Sequence, residues 1–485
     1  MRQIFVTNTL TGQKELLETL EPGHVKIYAC GVTVYDDCHI GHAMQAVYFD
    51  VIRRYLEFAA YKVTYVRNYT DVDDKIINKA KELGISPREL AERVIQSSEK
   101  DMAAIKVKAP SFEPKVSESI PEIIGMIEDL VKKDFAYPTS SGDVYYRVRK
   151  KGDYGKLSNR DPEDMRSGSR ELVMGEKEDE LDFALWKHDE TEGASWSSPW
   201  GPGRPGWHIE CSAMSKKHLG ASFDIHGGGR DLVFPHHENE IAQSEAANGC
   251  QYAKYWLHSG LLTINQQKMS KSLGNHIPIS EFLKQYPGEV LRLAYLQHHY
   301  SSNVDFTEEV FKACMRRLLY FYESLLKLDD IAASATDAPG VALLDGHEPQ
   351  QLVEQFHAAM SQDFSTVNAL KELHLGFRKA NELGKVKKSA SKSQTAKAYA
   401  EVFRQLFGVL GLLTEDPKEF IEGLKRRILP DLGLSEKEVQ HLIDERQAAR
   451  QRKDFAASDR IRDELLAKGI ELMDSPEGTK WTITI

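Results

Sequence analysis

Cysteine is scarce in this chain, with five copies among 485 residues. They are Cys30, Cys38, Cys211, Cys250 and Cys314, spread over most of the sequence. Such a set is too small and too dispersed for the disulfide framework of a secreted protein, and it fits a reducing cytoplasm. In that compartment cysteines are structural, metal-bound or reactive, so these five are the first candidates for chemistry.

Long apolar runs are also missing. No uninterrupted stretch approaches the roughly 18 residues that a membrane-spanning helix requires. Residues 1–10 lack the basic stretch and apolar core that mark a secretory signal. We therefore expect a cytoplasmic protein that does not enter a membrane.

Positive charge is not in excess either, because the chain has 63 Lys and Arg residues and 73 Asp and Glu residues, for a net charge of −10. This balance argues against indiscriminate binding to nucleic acid. It does not exclude a nucleic-acid partner, since local patches set the contacts to phosphate. With 41% hydrophobic and 28% charged residues, the chain is typical of a globular protein of about three or four domains.

The N-terminal region has the pattern of a parallel nucleotide-binding sheet. Val25–Cys30 alternates like a strand, and Lys62–Tyr69 reads as the next one. Between them, Val47, Val51 and Tyr55 recur at helical spacing, continued by Phe58. This order predicts a βαβ unit. A further helix is predicted to begin at Ser86-Pro87-Arg88-Glu89, which combines a capping serine, a proline and a glutamate.

The alternation breaks between residues 117 and 225, where turn-rich stretches such as Ser195–Trp207 indicate an insertion. A strand at Phe223–His226 resumes the sheet, and the pattern continues through Tyr255–Ile264. From about residue 307 the sequence is helical. Four C-terminal features are expected: a surface loop at Ala332–Gly346, a flexible tract at Ser389–Lys397, a helix at Ser435–Lys468, and short strands near 470–472 and 480–485.

The tetrapeptide His39-Ile40-Gly41-His42 lies between the first strand and the first helix. Alone, it would be interpreted as two histidines that cap a helix start. The context favours phosphate, because free N–H groups and the helix dipole attract anions there. Gly41 allows close approach of a nucleotide, and His39 and His42 can donate hydrogen bonds to phosphate oxygens as charge builds. Loss of either histidine should slow the chemistry by roughly ten- to a hundredfold.

A second tract, Lys268-Met269-Ser270-Lys271-Ser272, follows more than two hundred residues later. Most such lysines belong to solvated basic loops. Followed by Leu273-Gly274-Asn275, this tract is instead typical of a flexible loop that closes over phosphates. Lys271 is expected to stabilise the triphosphate in the transition state, with Lys268 assisting. In this order the two tracts outline an ATP site built from two halves of one fold, which indicates nucleotidyl transfer.

Three further segments extend this pattern. They are Ala29-Cys30-Gly31-Val32-Thr33-Val34-Tyr35, Trp207-His208-Ile209-Glu210-Cys211-Ser212-Ala213-Met214 and Phe234-Pro235-His236-His237-Glu238-Asn239-Glu240. With the two tracts above, they resemble cysteinyl-tRNA synthetases, which are class I aminoacyl-tRNA synthetases. The resemblance spans essentially the whole chain without departure at any motif position. Divergence lies in the linkers near 332–349 and 385–397.

The resemblance implies an α/β fold. A Rossmann-type catalytic domain with a parallel sheet would carry an inserted connective subdomain, followed by a helical bundle and a small mixed α/β anticodon-binding region. The expected boundaries are 1–116 for the first catalytic half, 117–225 for the insertion, 226–306 for the second half with the lysine loop, 307–415 for the tRNA-binding helical bundle, and 416–485 for the anticodon-binding region.

A metal site is not apparent from spacing alone. Cys30 and Cys211 form no C-x-x-C pair, while His236 and Glu240 share a helix face and would ordinarily be a capping histidine and a solvated glutamate. The resemblance implies that these four residues bind one zinc ion, with His237 as the adjacent competitor. Zinc accepts S, N and O donors and can add a substrate sulfur. Because a size-sensing pocket separates near-isosteres by only about a hundredfold, a thiol-binding metal explains selection against serine, and no editing domain is expected.

The resemblance also assigns nucleotide contacts to Gly227-Gly228-Gly229-Arg230-Asp231. By itself this segment would be a flexible turn. Within the family pattern, the backbone at Gly227 and Gly228 passes close to adenine and ribose, and Asp231 is a candidate ribose contact.

Four residues are candidates for enclosing the cysteine substrate: Thr33, Thr70, Trp207 and His226. For Trp207, packing within the surrounding turn-rich segment is an equally good explanation, because buried aromatic rings commonly fill such sites.

The C-terminal third provides the RNA argument. Basic residues outnumber acidic ones between Arg446 and Lys468, which marks a phosphate-facing helix, although a solvated helix with ion pairs would have the same composition. The similarity of Lys453–Leu465 and Gly478–Trp481 to the family favours anticodon binding, with Trp481 stacking on an unpaired base. The basic residues are Arg446, Arg450, Arg452, Lys453, Arg460, Arg462 and Lys468.

The sequence thus predicts a cytoplasmic, monomeric enzyme that uses ATP to join L-cysteine to tRNA(Cys) through a cysteinyl-adenylate. Mg²⁺ would arrive with ATP rather than in a protein cage. One alternative is a ligase that transfers activated cysteine to a small amino sugar, which should lack an anticodon region. Another is a catalytically silent RNA-binding regulator, which should have lost residues from the two ATP tracts.

Overall fold

The computed structural model describes residues 2–161, 163, 176–269, 275–333, 341–475 and 478–483. The chain forms two compact units. The first comprises Met1–Ser280, Tyr295–Asp305 and His357–Ala369, and the second comprises Glu281–Ala294, Phe306–Phe356 and Leu370–Ile485.

The elements alternate between strands and helices up to residue 306 and are mainly helical beyond it. In order, the first set is β1 (Phe5–Asn8), β2 (Gln13–Leu16), β3 (His24–Thr33), α1 (Ile40–Phe58), β4 (Lys62–Thr70), α2 (Asp74–Leu83), α3 (Pro87–Ala104), α4 (Ile120–Lys132), β5 (Ala136–Pro138), β6 (Val144–Tyr146), β7 (Phe183–His188), β8 (Trp196–Ser198), β9 (Gly201–Pro205), α5 (Trp207–Leu219), β10 (Phe223–Gly229), α6 (Glu238–Asn248), β11 (Ala253–Ser259), β12 (Leu262–Ile264), β13 (Gln267–Lys268), α7 (Ile279–Gln285), α8 (Gly288–Leu296) and β14 (Val304–Phe306). The second set is α9 (Glu308–Ala332), α10 (Pro349–Met360), α11 (Thr366–Asn381), α12 (Ala390–Leu410), α13 (Pro417–Ile428), α14 (Glu436–Gln451), α15 (Phe455–Ala467), β15 (Ile470–Ser475) and β16 (Gly478–Ile483).

The central sheet of the first unit is parallel, as predicted. Its strand order is β11-β10-β3-β4, and each neighbouring pair runs in the same direction. Helix α1 connects β3 to β4 and buries Val47, Val51 and Tyr55, the residues that recur at helical spacing. The chain order reverses between β3 and β10, and in open α/β sheets such a switch point is where ligands bind, at the carboxyl ends of the strands.

The pairing of β3 with β4 is irregular between Ala29 and Val32. Gly31 lies in this bulge, and its N–H donates to Asn68 Oδ1 over 2.9 Å. A Cβ at position 31 would lie 1.6 Å from the Asn68 carbonyl oxygen, so only glycine fits there. Because Gly31 has no side chain, the part of β3 that carries Cys30 can lie directly against the backbone of Asn68.

A second sheet of the first unit is antiparallel, in the order β5-β6-β7-β9-β8. It lies in the segment predicted as an insertion. The turn-rich stretch Ser195–Trp207 is more regular than predicted, because β8 and β9 pair in a hairpin with Trp196 opposite Gly203. Gly203 also allows β9 to lie against β7, since a Cβ there would lie 2.4 Å from the indole nitrogen of Trp186 on β7. Residues 162 and 164–175 of this segment lie outside the described residues.

The tract Ser389–Lys397 was expected to be flexible, and this prediction is wrong. Ser389 is the N-cap of α12, and its side chain accepts a hydrogen bond from the Lys392 N–H over 3.1 Å. Thr395 and Ala396 are fully buried in the second unit. The cap and the burial of small side chains stabilise a helix that the polar composition obscured. Of the loop expected at Ala332–Gly346, residues 334–340 lie outside the described part of the chain.

The single helix predicted at Ser435–Lys468 is two helices, α14 and α15. Lys453 has a positive φ of 61°, which ends the first helix. Asp454 then caps the second by accepting from the Ala457 N–H over 3.0 Å. The strands predicted after it are confirmed as the antiparallel pair β15–β16 up to residue 483, and residues 484–485 of the second prediction lie outside the described residues. The helix start predicted at Ser86 is confirmed by its hydrogen bond from Glu89 N–H. None of the described helices is both long and apolar enough to span a bilayer.

Candidate active site and metal centre

The first unit has a cavity of about 390 Å³ at the carboxyl ends of β3 and β10. It lies at the switch point of the parallel sheet, where the fold predicts a ligand site. Six of the residues predicted from sequence line this cavity. They are Thr33, His39, Gly41, His42, Trp207 and Asp231.

The two histidines of the first tract cap α1. His39 is the N-cap residue, and its Nδ1 accepts from the Gly41 N–H over 3.0 Å. His42 Nδ1 lies 3.4 Å from the His39 backbone nitrogen, and the two rings stack with centroids 3.7 Å apart. The interpretation of these histidines as helix caps is therefore correct. It is compatible with the predicted phosphate role, because each ring keeps its Nε2 outside these capping contacts.

Both imidazoles are held in the neutral form. Burial, together with the charges of His42 and His276, lowers the pKa of His39 to about 3. Burial and His276 lower the pKa of His42 to about 4. At neutral pH these rings are therefore neutral hydrogen-bond donors at the cavity wall.

We expect the His42 imidazole to titrate near pH 4 rather than near the ordinary value of 6.5. Because the folded pKa is depressed, the stability contributed by neutral His42 is fully present above pH 6.5 and is lost as the pH falls toward 4. The measurement is the Cε1–H chemical shift in NMR spectra of the substrate-free protein, assigned by its absence in His42→Gln. A midpoint near pH 6.5 would contradict the burial of this ring.

Gly41 brings the start of the second tract against the first. A Cβ at Gly41 would lie 2.6 Å from Met269 Cε and 2.8 Å from His39 Cε1. The backbone of Lys268, at the end of β13, pairs with Thr263 of β12. The side chain of Lys268 and residues 270–274, which include Lys271, lie outside the described residues. The roles of both lysines therefore stay predictions.

The glycines of β10 make room for protein side chains. A Cβ at Gly227 would lie 2.0 Å from Phe49 Cζ, and one at Gly228 would lie 2.6 Å from His237 Cε1. Neither glycine lines the cavity, whereas Gly229 and Asp231 do. These two glycines therefore lie close to protein side chains, of α1 and of His237, and the predicted approach of their backbone to adenine and ribose stays a prediction.

The four residues expected to bind zinc lie together although they are remote in the chain. Cys30, Cys211, His236 and Glu240 are all buried, and each has a potential ligand atom within 4.8 Å of the others. Cys30 Sγ lies 3.7 Å from Cys211 Sγ and 3.3 Å from Glu240 Oε1. His236 Nε2 lies 3.1 Å from the same Oε1. Two sulfurs, one nitrogen and one oxygen suit a thiophilic dication such as Zn²⁺, whereas Mg²⁺ and Ca²⁺ take oxygen ligands.

A second group of donors overlaps the first. Cys30, His226, His237 and Glu240 also present ligand atoms within 4.8 Å of one another. His237 Nε2 lies 3.4 Å from Cys30 Sγ, so the competitor considered from sequence is in position. Cys30 and Glu240 belong to both groups, and the geometry alone leaves the histidine open.

Burial controls the electrostatics of this cluster. It raises the pKa of the Cys30 thiol well above its ordinary value. Burial also opposes ionisation of Glu240, but the neighbouring His226 and His236 outweigh it, and the pKa of Glu240 is lowered. A bound dication would reverse the effect of burial on the thiol, because a coordinating thiol is deprotonated.

The four candidates for the cysteine pocket differ in their burial and in whether they line the cavity. Trp207 begins α5, is 41% exposed, and has its ring 4.3 Å from that of His236. Thr70 is buried and its hydroxyl donates to Glu210 Oε2 over 3.3 Å. His226 is fully buried, and its ring stacks on Trp256 with centroids 4.5 Å apart. Trp207 and Thr33 line the cavity, whereas Thr70 and His226 are not among its lining residues.

Several residues of this site were not found from the sequence. Gln45 lines the cavity and donates to the Cys30 carbonyl oxygen over 2.7 Å. Lys75 lines it too, with its Nζ 5.4 Å from the centroid of the Tyr35 ring. The sequence positions of these two residues could have indicated that they belong to the site. Gln45 lies three residues after His42 on α1, and Lys75 lies in the first turn of α2, which follows β4.

Four of the seven basic residues between Arg446 and Lys468 form ion pairs. Arg446 Nη1 and Nη2 each donate to an oxygen of Asp474 over 2.8 Å, and Arg450 Nη1 donates to Asp474 Oδ2 over 2.6 Å. Arg462 and Lys468 also form ion pairs, so for these four residues the ion-pair alternative is supported. The basic residues of this stretch that have no ion pair with any described residue are Arg452, Lys453 and Arg460.

Comparison with known proteins matches three consecutive parts of the chain to domain families. Residues 16–316 match the family described as tRNA synthetases class I (C) catalytic domain, residues 355–414 match the DALR domain, and residues 433–481 match the Cysteinyl-tRNA ligase anticodon binding domain. Among solved structures, a methionyl-tRNA synthetase of Mycobacterium tuberculosis bound by methionyl-adenylate has a TM-score of 0.62 at 15% identity, covering 85% of this chain and 95% of its own. That likeness shows the fold.

Curated relatives match over the full length. A cysteine–tRNA ligase of Geobacter sulfurreducens is 49% identical and one of Desulfotalea psychrophila is 46% identical, with 99% of both chains covered in each case. The resemblance drawn from the sequence motifs is therefore confirmed. The chain belongs to the cysteine–tRNA ligases, a family of class I aminoacyl-tRNA synthetases.

Proposed function

We propose that this enzyme attaches L-cysteine to tRNA(Cys) in two steps and selects cysteine through a zinc-bound thiolate. In the first step the cysteine carboxylate attacks the α-phosphate of ATP, and pyrophosphate leaves. In the second step the 2′-hydroxyl of the terminal ribose attacks the activated carbonyl, and AMP leaves. The observation that carries this proposal is the buried cluster of sulfur, nitrogen and oxygen donors beside the cavity of a class I synthetase fold.

The start of α1 is suited to the triphosphate. His39 and His42 line the cavity as neutral imidazoles, and each can donate an N–H to a phosphate oxygen without first taking a proton. The helix start contributes its free N–H groups and dipole. Such fixed donors stabilise charge that develops in the transition state, so positioning and electrostatics suffice and no covalent enzyme nucleophile is needed. Lys268 and Lys271 add positive charge, and Mg²⁺ enters with ATP.

The proposed zinc ligands are Cys30, Cys211, His236 and Glu240. The alternative group requires His226, whose Nε2 lies 2.8 Å from Glu240 Oε2. Because an ionised carboxylate only accepts, that nitrogen carries the proton. The buried Nδ1 of His226 has no hydrogen-bond partner in the described structure, which agrees with this tautomer. The other oxygen of Glu240, Oε1, lies 3.3 Å from Cys30 Sγ and 3.1 Å from His236 Nε2, which favours the first group. When bound, zinc supplies a soft Lewis acid for the substrate sulfur.

The protein side chains around the cluster would fix the rest of the amino acid. Thr33 and Trp207 face the cavity, so they are placed to contact the substrate itself. Thr70 and His226 do not line the cavity, and they would support the residues that do.

We further propose that the enzyme acts as a cytoplasmic monomer with one zinc ion per chain. The anticodon would be contacted by β16 and by Arg452, Lys453 and Arg460, which form no ion pair with any described residue. Trp481, proposed to stack on an unpaired base, is half-buried against the apolar core of the C-terminal region and has the Lys425 ammonium 4.2 Å from its ring centroid.

Pyrophosphate exchange dependent on cysteine tests the first step, and charging of purified tRNA(Cys) tests the second. We expect exchange with cysteine and much less with serine, and we expect charging in the presence of tRNA. Exchange without charging would favour a ligase that transfers cysteine to another acceptor. The match of residues 433–481 to the anticodon-binding family argues against that alternative. Exchange with a different amino acid would make the substrate assignment wrong, and no exchange would favour a silent regulator.

A further inference from the structure

The two carboxylate oxygens of Glu240 have separate surroundings. Oε1 lies 3.3 Å from Cys30 Sγ and 3.1 Å from His236 Nε2, so it faces the candidate metal ligands. Oε2 lies 2.8 Å from His226 Nε2 and 3.0 Å from Tyr252 Oη. The side chain of Glu240 is fully buried, so water cannot readily replace a missing partner. One oxygen is therefore free for a metal because the other is held by two protein donors.

Tyr252 is itself held in place. Its side chain is 1% exposed, and its Oη lies 2.7 Å from Ser215 Oγ. The single hydroxyl proton of Tyr252 belongs on the bond to Glu240, because an ionised carboxylate is the stronger acceptor. Ser215 Oγ is then the donor to Tyr252 Oη at 2.7 Å, a shorter contact than its 3.1 Å hydrogen bond to the Ser212 carbonyl oxygen. The result is a buried relay of three side chains, Ser215 to Tyr252 to Glu240, that ends on the oxygen opposite the ligand cluster.

We propose that Tyr252, supported by Ser215, is a positioning residue of the metal centre. Its hydroxyl fixes the rotation of the Glu240 carboxylate so that Oε1 points at Cys30 and His236 before any metal arrives. Without this bond, Oε2 keeps His226 alone, and the carboxylate can rotate away from the cluster. The inference rests on the proposed function only in requiring that this cluster binds a metal. It does not depend on the choice between His236 and His237, since Glu240 and Cys30 belong to both groups.

The expected effect is on metal affinity. Partners that orient a ligand from behind typically contribute about 10- to 100-fold in affinity. We therefore expect Tyr252→Phe, which removes one oxygen and keeps the ring, to raise the Zn²⁺ dissociation constant by roughly 10- to 100-fold. Ser215→Ala, which acts through Tyr252, should raise it by a smaller factor.

The measurement uses the full chain stripped of metal and reloaded with Zn²⁺ in competition with a chromophoric chelator. Loading with Co²⁺ adds a second readout, because its absorption bands report the geometry of the ligands. Tyr255→Phe is the matched control. Tyr255 is a buried tyrosine of β11, and its hydroxyl donates to the Leu16 carbonyl oxygen over 2.8 Å instead of to the cluster. We expect its Zn²⁺ affinity and Co²⁺ spectrum to equal those of the parent.

Two results separate this inference from the proposed function. If the parent activates cysteine and binds Zn²⁺ but Tyr252→Phe has the same dissociation constant and Co²⁺ spectrum, the positioning role is wrong and the proposed function stands. If the parent binds no Zn²⁺, both are wrong. Should Tyr252→Phe fail to fold, Ser215→Ala decides the question, and an affinity equal to that of Tyr255→Phe would overturn the proposal.

Discussion

Replacing Cys211 with serine is expected to lower the zinc content well below one ion per chain and to erode the preference for cysteine over serine. Cys211 Sγ is buried 3.7 Å from Cys30 Sγ, and a hydroxyl is a much poorer zinc ligand than a thiolate. Without the metal, selection rests on the size of the pocket. The ratio of kcat/KM for the two amino acids should then fall toward roughly a hundredfold, the typical limit for near-isosteres.

Elemental analysis and pyrophosphate exchange with both amino acids measure these effects. ATP binding should change much less, because the cavity lining at His39, Gly41 and His42 does not include Cys211. Cys250→Ser is the control, since this cysteine is exposed and its Sγ lies 3.8 Å from the Ala221 carbonyl oxygen, outside the cluster. Unchanged zinc stoichiometry in Cys211→Ser would remove this residue from the proposed ligands.

Replacing Lys271 with alanine is expected to reduce the rate of adenylate formation by roughly a hundredfold or more, with little change in cysteine affinity. Removal of one preorganised charge or donor at a developing oxyanion typically has an effect of about 10²–10³ on kcat. The cysteine pocket should be unaffected, because the proposed substrate contacts, Thr33 and Trp207, belong to other segments. Met269, which precedes the undescribed residues 270–274, already lies against Gly41.

Single-turnover formation of cysteinyl-adenylate, measured over a range of cysteine concentrations, separates the rate from the affinity. Lys62→Ala controls for the loss of one positive charge, because Lys62 is exposed at the start of β4. Equal rates for Lys271→Ala and Lys62→Ala would rule out the proposed role. A large rise in the cysteine concentration needed for half-maximal rate, with an unchanged maximal rate, would reassign Lys271 to substrate binding.

The parallel sheet could be predicted because its signals are local. Strand alternation at Val25–Cys30 and Lys62–Tyr69, and helical spacing between them, each depend on a few neighbouring residues. The first tract could be placed at a helix start for the same reason. The metal cluster could not be assembled in this way, since Cys30 and Cys211 are 181 residues apart. Only the resemblance to a known family indicated that these two cysteines lie together.

The errors have one physical cause. Composition describes a segment by itself, whereas its conformation depends on what it contacts. Ser389–Lys397 is polar, yet a serine cap and burial of Thr395 make it helical. Arg446 and Arg450 add to a positive surplus in the sequence, yet both donate to Asp474 on β15. Tyr252 was not singled out because its contact with Glu240 depends on the folded core.

The 181-residue separation of Cys30 and Cys211 also has a consequence during synthesis. Ribosomes add about 5–20 residues per second, so the first sulfur leaves the exit tunnel roughly 10–40 s before the second. Throughout that interval the nascent chain lacks one of the proposed zinc ligands. With these ligands, metal capture is a late event in maturation. We therefore expect a ribosome-bound fragment that ends before Cys211 to leave the signal of a zinc-loaded dye unchanged.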